Sequence, residues 1–143
     1  MLTAFSDMVQ PYAQQFHPVV LFDPTSDLLT RLDFTGANTT LTAAIIEDTT
    51  AFCQYINRQL DEAKAILVKK GISYGIGGYA ELRTVYSRSR VFDAPVPGEE
   101  PRRLHLGTDI WGPAGTPVYA FMDGTVHSVA NNDRYGDYGA TII

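Results

Sequence analysis

The chain has 143 residues, of which 45% are apolar and 11% aromatic, a composition that suits a folded chain with a buried core and excludes disorder. Its formal net charge of −5 provides no overall basic field to attract phosphates, so nucleic acid is not an expected partner. The single cysteine, Cys53, excludes an internal disulfide and a multi-cysteine zinc cage, so a metal site would have to use histidine and carboxylate ligands.

The N-terminal segment carries no targeting pattern. Its sequence, MLTAFSDMVQPYAQQF, lacks a basic start and an uninterrupted apolar stretch, so we predict no export signal and a cytoplasmic protein. No apolar run in the sequence approaches the ~20 residues of a membrane span. Residues 2–16 are weakly helical and are interrupted by Pro11.

Two short apolar runs follow. Pro18–Phe22 is typical of a buried strand, which Asp23 ends. Leu28–Phe34 fits either a helical turn or a strand, and Gly36 then marks a loop.

A long amphipathic helix is predicted over residues 41–70. Apolar residues recur there with helical spacing, at Leu41, Ile45, Phe52, Ile56, Leu60, Ala63 and Leu67. One of the polar residues 38–40 is expected to cap its N-terminus, and Gly71, preceded by two lysines, is expected to end it. Cys53 follows Phe52 in this segment and is interpreted as a small core residue.

Glycines and short strand-forming runs concentrate after residue 71, which predicts a β-rich second half. The predicted strands are Leu82–Tyr86, Val118–Phe121, Thr125–Val129 and Thr141–Ile143. The pair Asp123-Gly124 predicts a hairpin turn, and residues 131–137 predict a longer polar hairpin loop. Because the sequence stops inside an apolar, β-branched run, we expect an unfinished strand and an interrupted domain.

A glycine-rich stretch begins this half. Residues 75–80, GIGGYA, satisfy the G-x-G-x-x-A dinucleotide fingerprint, but the sequence before and after them does not predict the required strand and helix. We interpret these glycines as a loop that lets the backbone approach a neighbouring strand or a bound peptide.

Four collinear segments in the last third form a recognisable pattern. HLGTD (residues 105–109) is followed by GTPVYA (115–120), DGTV (123–126) and YGATII (138–143). Together they resemble the first half of a lysostaphin-like (LytM-type) zinc metallopeptidase domain. The resemblance covers residues 102–143, with residues 75–101 as a lead-in, whereas residues 1–70 match no family.

The helix predicted over residues 41–70 and the resemblance of the second half together predict an α+β fold. A mainly helical N-terminal region, residues 1–70, would precede the opening part of an antiparallel β-rich domain of the duplicated hybrid motif type, residues 71–143. The resemblance also implies a zinc cofactor held by His105, by Asp109 and by the last histidine of a later His-x-His motif, whose first histidine is the general base. Zinc with three protein ligands keeps an open position at which water is activated.

The sequence contains no His-x-His motif, so it supplies two of the three implied ligands and no catalytic residue. Histidine and aspartate four residues apart can converge on one ion if the chain bends between them, and Gly107 is expected to permit that bend.

Other candidates come from the arginine-rich stretch of residues 83–103, which is a solvated loop or a source of a bidentate partner for a substrate carboxylate. Arg88, Arg90 and Tyr79 are candidate substrate-binding residues. His127 is predicted on the solvent face of a strand, and His17 lies outside the resemblance. The aromatic residues that are candidates for a peptide groove are Trp111, Tyr79, Tyr86, Tyr119, Tyr135 and Tyr138.

The sequence therefore predicts a zinc metallopeptidase relative that hydrolyses peptide bonds with metal-activated water. Peptides, including those of peptidoglycan, are the substrates that the family resemblance implies, and most members of that family act in the cell envelope or are secreted. A non-catalytic binding or regulatory module on the same scaffold is the alternative, favoured by the missing His-x-His. A third possibility is that residues 1–70 form a partner-binding or autoinhibitory element.

Overall fold

The computed structural model describes residues 5–68, 70–88 and 90–143 and shows a mixed α+β fold, as the sequence predicts. The α-helices of the described residues are α1 (Phe5–Val9), α2 (Ala43–Glu47) and α3 (Thr49–Leu67). Their strands are β1 (Leu28–Leu32), β2 (Ser73–Gly77), β3 (Glu81–Leu82), β4 (Leu104–His105), β5 (Asp109–Trp111), β6 (Val129–Asn132) and β7 (Gly139–Ile142). Short 3-10 helices occupy Gln10–Gln15, Thr84–Arg88 and Arg90–Phe92.

A three-stranded sheet in the order β1-β2-β5 organises the molecule. Strand β1 pairs in parallel with β2, and β2 pairs antiparallel with β5, which sets Gly77 opposite Asp109. Helix α3 lies in the connection between the two parallel strands and contacts both of them. The sheet thus joins β1 from the first half of the sequence to β2 and β5 from the second.

The core forms between this sheet and the helices. It is a cluster of buried side chains, namely Leu32, Phe34, Leu41, Ile46, Phe52, Tyr55, Ile56 and Leu60. Trp111 of β5 packs against it, with ring centroids 5.8 Å from Phe34 and 5.6 Å from Phe52. Burial of these residues fixes the start of β5, which carries Asp109, relative to the helices.

The single helix predicted over residues 41–70 is wrong in its continuity, because the chain leaves the helical conformation at Asp48. The Asp48 carboxylate accepts a hydrogen bond of 2.9 Å from Ala51 N, and so caps α3. Thr42 caps α2 in the same way, through Ile45 N. The predicted cap at residues 38–40 is therefore also wrong, since the Asn38 side chain instead closes a local turn.

Helix α3 ends before the predicted Gly71. Val68 adopts a left-handed conformation (φ 52°) directly after the last helical residue, whereas Lys69 lies outside the described residues. Gly71 instead packs beside β1, where its N–H donates to Ser26 O and an added Cβ would lie 2.1 Å from Asp27 Oδ1.

Among residues 5–34, the interrupted helix with Pro11 and the strand alternative for Leu28–Phe34 are confirmed, whereas residues 2–4 of the predicted helical segment lie outside the described residues. The strands predicted at Pro18–Phe22 and Val118–Phe121 are wrong, although the two segments face each other. His17 N donates to Phe121 O and Tyr119 N donates to Val19 O, and these two bonds extend into no regular ladder.

The predicted β-rich second half is only partly formed. Residues after Leu82 turn into a 3-10 helix instead of continuing a strand, because Thr84 N donates to Phe34 O and Ser87 Oγ to Thr84 O. The hairpin predicted at Asp123-Gly124 is wrong, and Thr125–Val129 enters a strand only at Val129. The strand predicted at the C-terminal end is confirmed as β7, which forms a hairpin with β6 around residues 133–138.

The strands predicted between residues 117 and 128 are missing from a segment that is not buried. Every residue of this segment is exposed, so its apolar side chains pack onto no sheet. Among the described residues, no helix combines the length and apolarity needed to cross a bilayer.

Candidate metal site

The structure brings together the two residues of the H-x-x-x-D motif. His105 ends β4, which pairs with β3, and Asp109 begins β5, which pairs with β2. Their side chains meet with His105 Nε2 3.3 Å from Asp109 Oδ1. The imidazole is mostly buried, with 12% of its side chain exposed, whereas the carboxylate is more accessible at 36%.

Gly107 lies between the two residues in the sequence, and its lack of a side chain leaves space beside the His105 ring. It has no left-handed backbone conformation, so the expected conformational role is not what requires glycine here. A Cβ at this position would lie 3.1 Å from His105 Nε2, the nitrogen that faces Asp109. A side chain there would crowd the space between His105 Nε2 and Asp109 Oδ1.

The tautomer of His105 follows from its second nitrogen. Nδ1 lies 3.1 Å from the carbonyl oxygen of Gly78, which can only accept a hydrogen bond, so Nδ1 carries the proton. In the neutral ring Nε2 then presents a lone pair to Asp109 Oδ1, another acceptor. Two acceptors at this distance repel each other unless a cation, either a proton or a metal ion, lies between them.

A buried ion-pair network surrounds this pair. Arg83, only 4% exposed, donates from Nε to Glu81 Oε2 at 2.8 Å and from Nη1 to Asp109 Oδ2. Glu81 is itself 8% exposed and lies opposite His105 in the β3–β4 pair. With neutral His105, the two carboxylates and one guanidinium leave one surplus negative charge, which favours a bound cation.

Two pKa shifts follow from this environment. Burial by itself would lower the pKa of Arg83, but the hydrogen bonds to Asp109 and Glu81 outweigh burial and raise the pKa above its ordinary value. Burial raises the pKa of the Tyr86 phenol, and the nearby Arg83 charge only partly opposes this. Both side chains therefore keep their protons well above neutral pH.

The site opens into two cavities that share His105, Tyr86, Phe92 and Tyr138. The first cavity, of about 510 Å³, has aromatic walls that include Trp111 and Tyr135. The second, of about 790 Å³, lies along β4 beside Arg102 and Arg103. A chain-like ligand passing from one cavity to the other would cross His105.

Four members of the predicted aromatic set, Trp111, Tyr86, Tyr135 and Tyr138, line the first cavity. Tyr79 and Tyr119 do not line it. Tyr79 is 68% exposed and follows Gly78, whose carbonyl orients His105.

The remaining predicted residues lie elsewhere. Arg90 is exposed and absent from the linings of both cavities, and the side chain of Arg88 lies outside the described residues. His127 is exposed, as predicted, but it precedes β6 and does not lie in a strand. His17 is also exposed. Cys53 is exposed, so its interpretation as a core residue is wrong, because it lies one position beyond the buried face marked by Phe52.

Sequence reasoning missed Glu81 as a member of the site and grouped Arg83 with four other arginines. The only signal in the sequence is the short alternation Glu81-Leu82-Arg83, which puts the two charged residues on one side of an extended chain. Nothing in that alternation indicates that the charged side is the buried one.

His105 Nε2 and Asp109 Oδ1 fit a zinc ion as two of its electron-pair donors. Nitrogen and oxygen donors bound at ~2.0–2.2 Å to one tetrahedral zinc lie roughly 3.4 Å apart, close to the 3.3 Å between Nε2 and Oδ1. Among residues 5–68, 70–88 and 90–143, however, no group of three histidine, cysteine or acidic side chains is placed to hold a metal. The described residues thus bring two potential donor atoms together at this point.

Comparison with known proteins found no matching family model, no matching curated protein and no matching solved structure.

Proposed function

We propose that this chain carries part of a zinc metallopeptidase site, in which His105 and Asp109 are two of the ligands. The observation that supports the proposal is the 3.3 Å approach of His105 Nε2 to Asp109 Oδ1, which are both acceptors when the imidazole is neutral. The second nitrogen of the imidazole is engaged by Gly78 O, and the second oxygen of the carboxylate is engaged by Arg83. Such a pair is stabilised by a shared cation. When bound, zinc would supply an acidified water and polarise the scissile carbonyl.

The residues of this chain have separate tasks in that proposal. Gly78 O holds the imidazole in the tautomer that a metal requires. The two cavities on either side of His105 accept the substrate chain, and their aromatic walls suit a peptide. Tyr86 remains protonated at neutral pH and offers a hydrogen-bond donor within the first cavity.

The family resemblance also implies parts of the site that this sequence lacks. A third ligand and a general base would come from a His-x-His motif outside these 143 residues, and the complete domain would adopt the duplicated hybrid motif. Peptidoglycan-type peptides are the proposed substrates. The alternative of a non-catalytic binding module is supported by the presence of only two metal donors among the described residues.

A zinc titration tests the metal site directly. We expect the ring signals of His105, followed by NMR, to shift with an affinity weaker than about micromolar, because only two ligands are available. His105→Ala and Asp109→Ala should abolish the saturable response, whereas His127→Ala, at an exposed histidine, should leave it unchanged. Zinc binding that survives His105→Ala would contradict the proposal.

Activity is tested on the natural protein. Peptides derived from peptidoglycan are incubated with the zinc-loaded protein, its His105→Ala variant and the His127→Ala control, and cleavage is followed by mass spectrometry. Cleavage lost only in the His105→Ala variant supports the peptidase. Saturable binding of the same peptides without cleavage in any variant supports the binding module.

A further inference from the structure

We propose that Arg83, held in place by Glu81, is a positioning residue that makes Asp109 a single-oxygen ligand aimed at the same point as His105. The inference deepens the proposed metal site and rests on it. In this inference, Arg83 orients the Asp109 carboxylate before any ion binds.

The guanidinium of Arg83 is held in one orientation by its neighbours. Arg83 lies with its Cζ 5.1 Å from the ring centroid of Phe34 and 5.9 Å from that of Tyr86, so aromatic faces flank it. Its backbone N–H donates to Arg103 O at 3.0 Å, which fixes the base of the side chain. Glu81 Oε2 then accepts from Nε at 2.8 Å and fixes the orientation of the plane.

The guanidinium also has little free space around it. Nη2 is buried, and a Cβ added to Gly77 would lie 2.5 Å from it. Gly77 is paired with Asp109 across the β2–β5 ladder, so the backbone that limits Arg83 also carries the strand that holds Asp109. The guanidinium is confined between β2 and the aromatic rings.

The two carboxylate oxygens of Asp109 have different partners. Nη1 of Arg83 occupies Oδ2, and this leaves Oδ1 as the oxygen that faces His105 Nε2. A cation at Oδ2 would approach a fixed positive charge, so a metal ion can use only Oδ1. One oxygen and one nitrogen at the tetrahedral spacing favour zinc, whereas calcium prefers more oxygens and bidentate carboxylates.

Glu81 has a distinct part in this arrangement. Without it, the buried guanidinium would carry a single carboxylate partner and could rotate to engage both oxygens of Asp109 in the bidentate geometry that arginine prefers. Glu81 occupies Nε, so only the Nη1 edge reaches Asp109. The relay of Glu81, Arg83 and Asp109 therefore sets which oxygen is free.

The test uses Arg83→Lys, which keeps the charge but removes the rigid fork, with Arg31→Lys at an exposed strand position as the matched control. In the metal-free proteins, the ¹⁵N signals of the His105 ring report the environment of Nε2. Circular dichroism establishes that each variant is folded. Should Arg83→Lys fail to fold, Glu81→Gln takes its place, because it keeps the side-chain shape and releases the charge that orients Arg83.

We expect the Nε2 signal to shift in Arg83→Lys and in Glu81→Gln but not in Arg31→Lys. We also expect zinc affinity, from the same NMR titration, to fall about 10–100-fold in Arg83→Lys, as for other outer residues that orient a metal ligand. An unchanged Nε2 signal together with unchanged zinc affinity would overturn the positioning role.

The two proposals fail differently. If the unmodified chain binds no zinc, the proposed metal site is wrong, and the metal-free Nε2 signal alone decides the role of Arg83. If the chain binds zinc and Arg83→Lys binds it equally well with the same Nε2 signal, the metal site stands and the positioning role is wrong.

Discussion

Gly77→Ala tests how closely the sheet and the buried arginine are fitted together. The added Cβ would lie 2.5 Å from Arg83 Nη2 and 3.3 Å from Asp109 Oδ2, and the first of these distances is shorter than real Cβ contacts allow. The guanidinium cannot move away freely, because Glu81 and Asp109 hold it on two sides. Either β2 moves away from β5 or Arg83 gives up one of its carboxylates.

The cost follows from these contacts. Forcing an extra carbon into a packed region costs about 1–3 kcal/mol, and losing one charged hydrogen bond costs about 1.5–3 kcal/mol. Replacing glycine by alanine restricts the unfolded chain and returns about 0.4–1 kcal/mol. Relaxation removes part of the clash, so we expect a net loss of about 1–3 kcal/mol in the free energy of unfolding.

Urea and thermal unfolding followed by circular dichroism measure this loss, which corresponds to a Tm roughly 4–10 °C lower for a chain of this size. The matched control is Gly124→Ala, where an added Cβ meets nothing within 4 Å and the backbone is not left-handed. The control should be neutral or slightly more stable. Equal unfolding midpoints for the two variants would refute the close fit of Gly77 against Arg83.

Three further outcomes follow from single residues. Asp48→Ala removes the carboxylate that caps α3 and should lower the free energy of unfolding by about 1 kcal/mol in urea, whereas exposed Asp61→Ala on the same helix should change it little. Val68→Gly should raise the thermal midpoint by the equivalent of about 1 kcal/mol, because Val68 is a β-branched residue in a left-handed conformation and is 79% exposed; Val126→Gly should not. Burial raises the pKa of Tyr86, so the stability linked to its neutral phenol is complete below the unfolded pKa of about 10 and is lost as pH rises through the higher folded pKa. Ultraviolet titration should show this tyrosine, identified by Tyr86→Phe, ionising after the exposed ones, and simultaneous ionisation would contradict the assignment.

The sequence predicted the elements that are defined by their own periodicity. The apolar spacing of α3 is strong enough to place Phe52, Ile56 and Leu60 in the core, where the structure has them. What the spacing could not show is the interruption at Asp48, since the stripe continues across it in the sequence. A cap and a helical interior position look alike until the backbone direction is known.

Strand predictions failed where they depended on propensity alone. Val118–Phe121 contains residues that favour strands, yet Val118 is 75% exposed and the segment joins no sheet. The glycine-rich stretch gave the reverse error, because Gly75 and Gly77 lie inside β2, the central strand, rather than in a loop. There the absence of side chains admits Leu32 and Arg83, and long-range contacts of this kind outweigh local preference.

The contacts of the candidate site also could not be predicted from its motif alone. The motif placed His105 and Asp109 four residues apart, but they meet because β4 and β5 belong to different sheets that approach each other at this point. The residues that contact His105 and Asp109 follow β2, more than twenty residues earlier in the sequence. They are Gly78, which contacts His105, and Arg83, which contacts Asp109 and is bound by Glu81. In the structure, the Gly78 carbonyl fixes the imidazole proton on one side of the pair, and the Arg83 guanidinium occupies one oxygen of the carboxylate on the other. Neither of these two contacts can be deduced from the spacing of His105 and Asp109 in the sequence, because each depends on a residue that only the fold brings close.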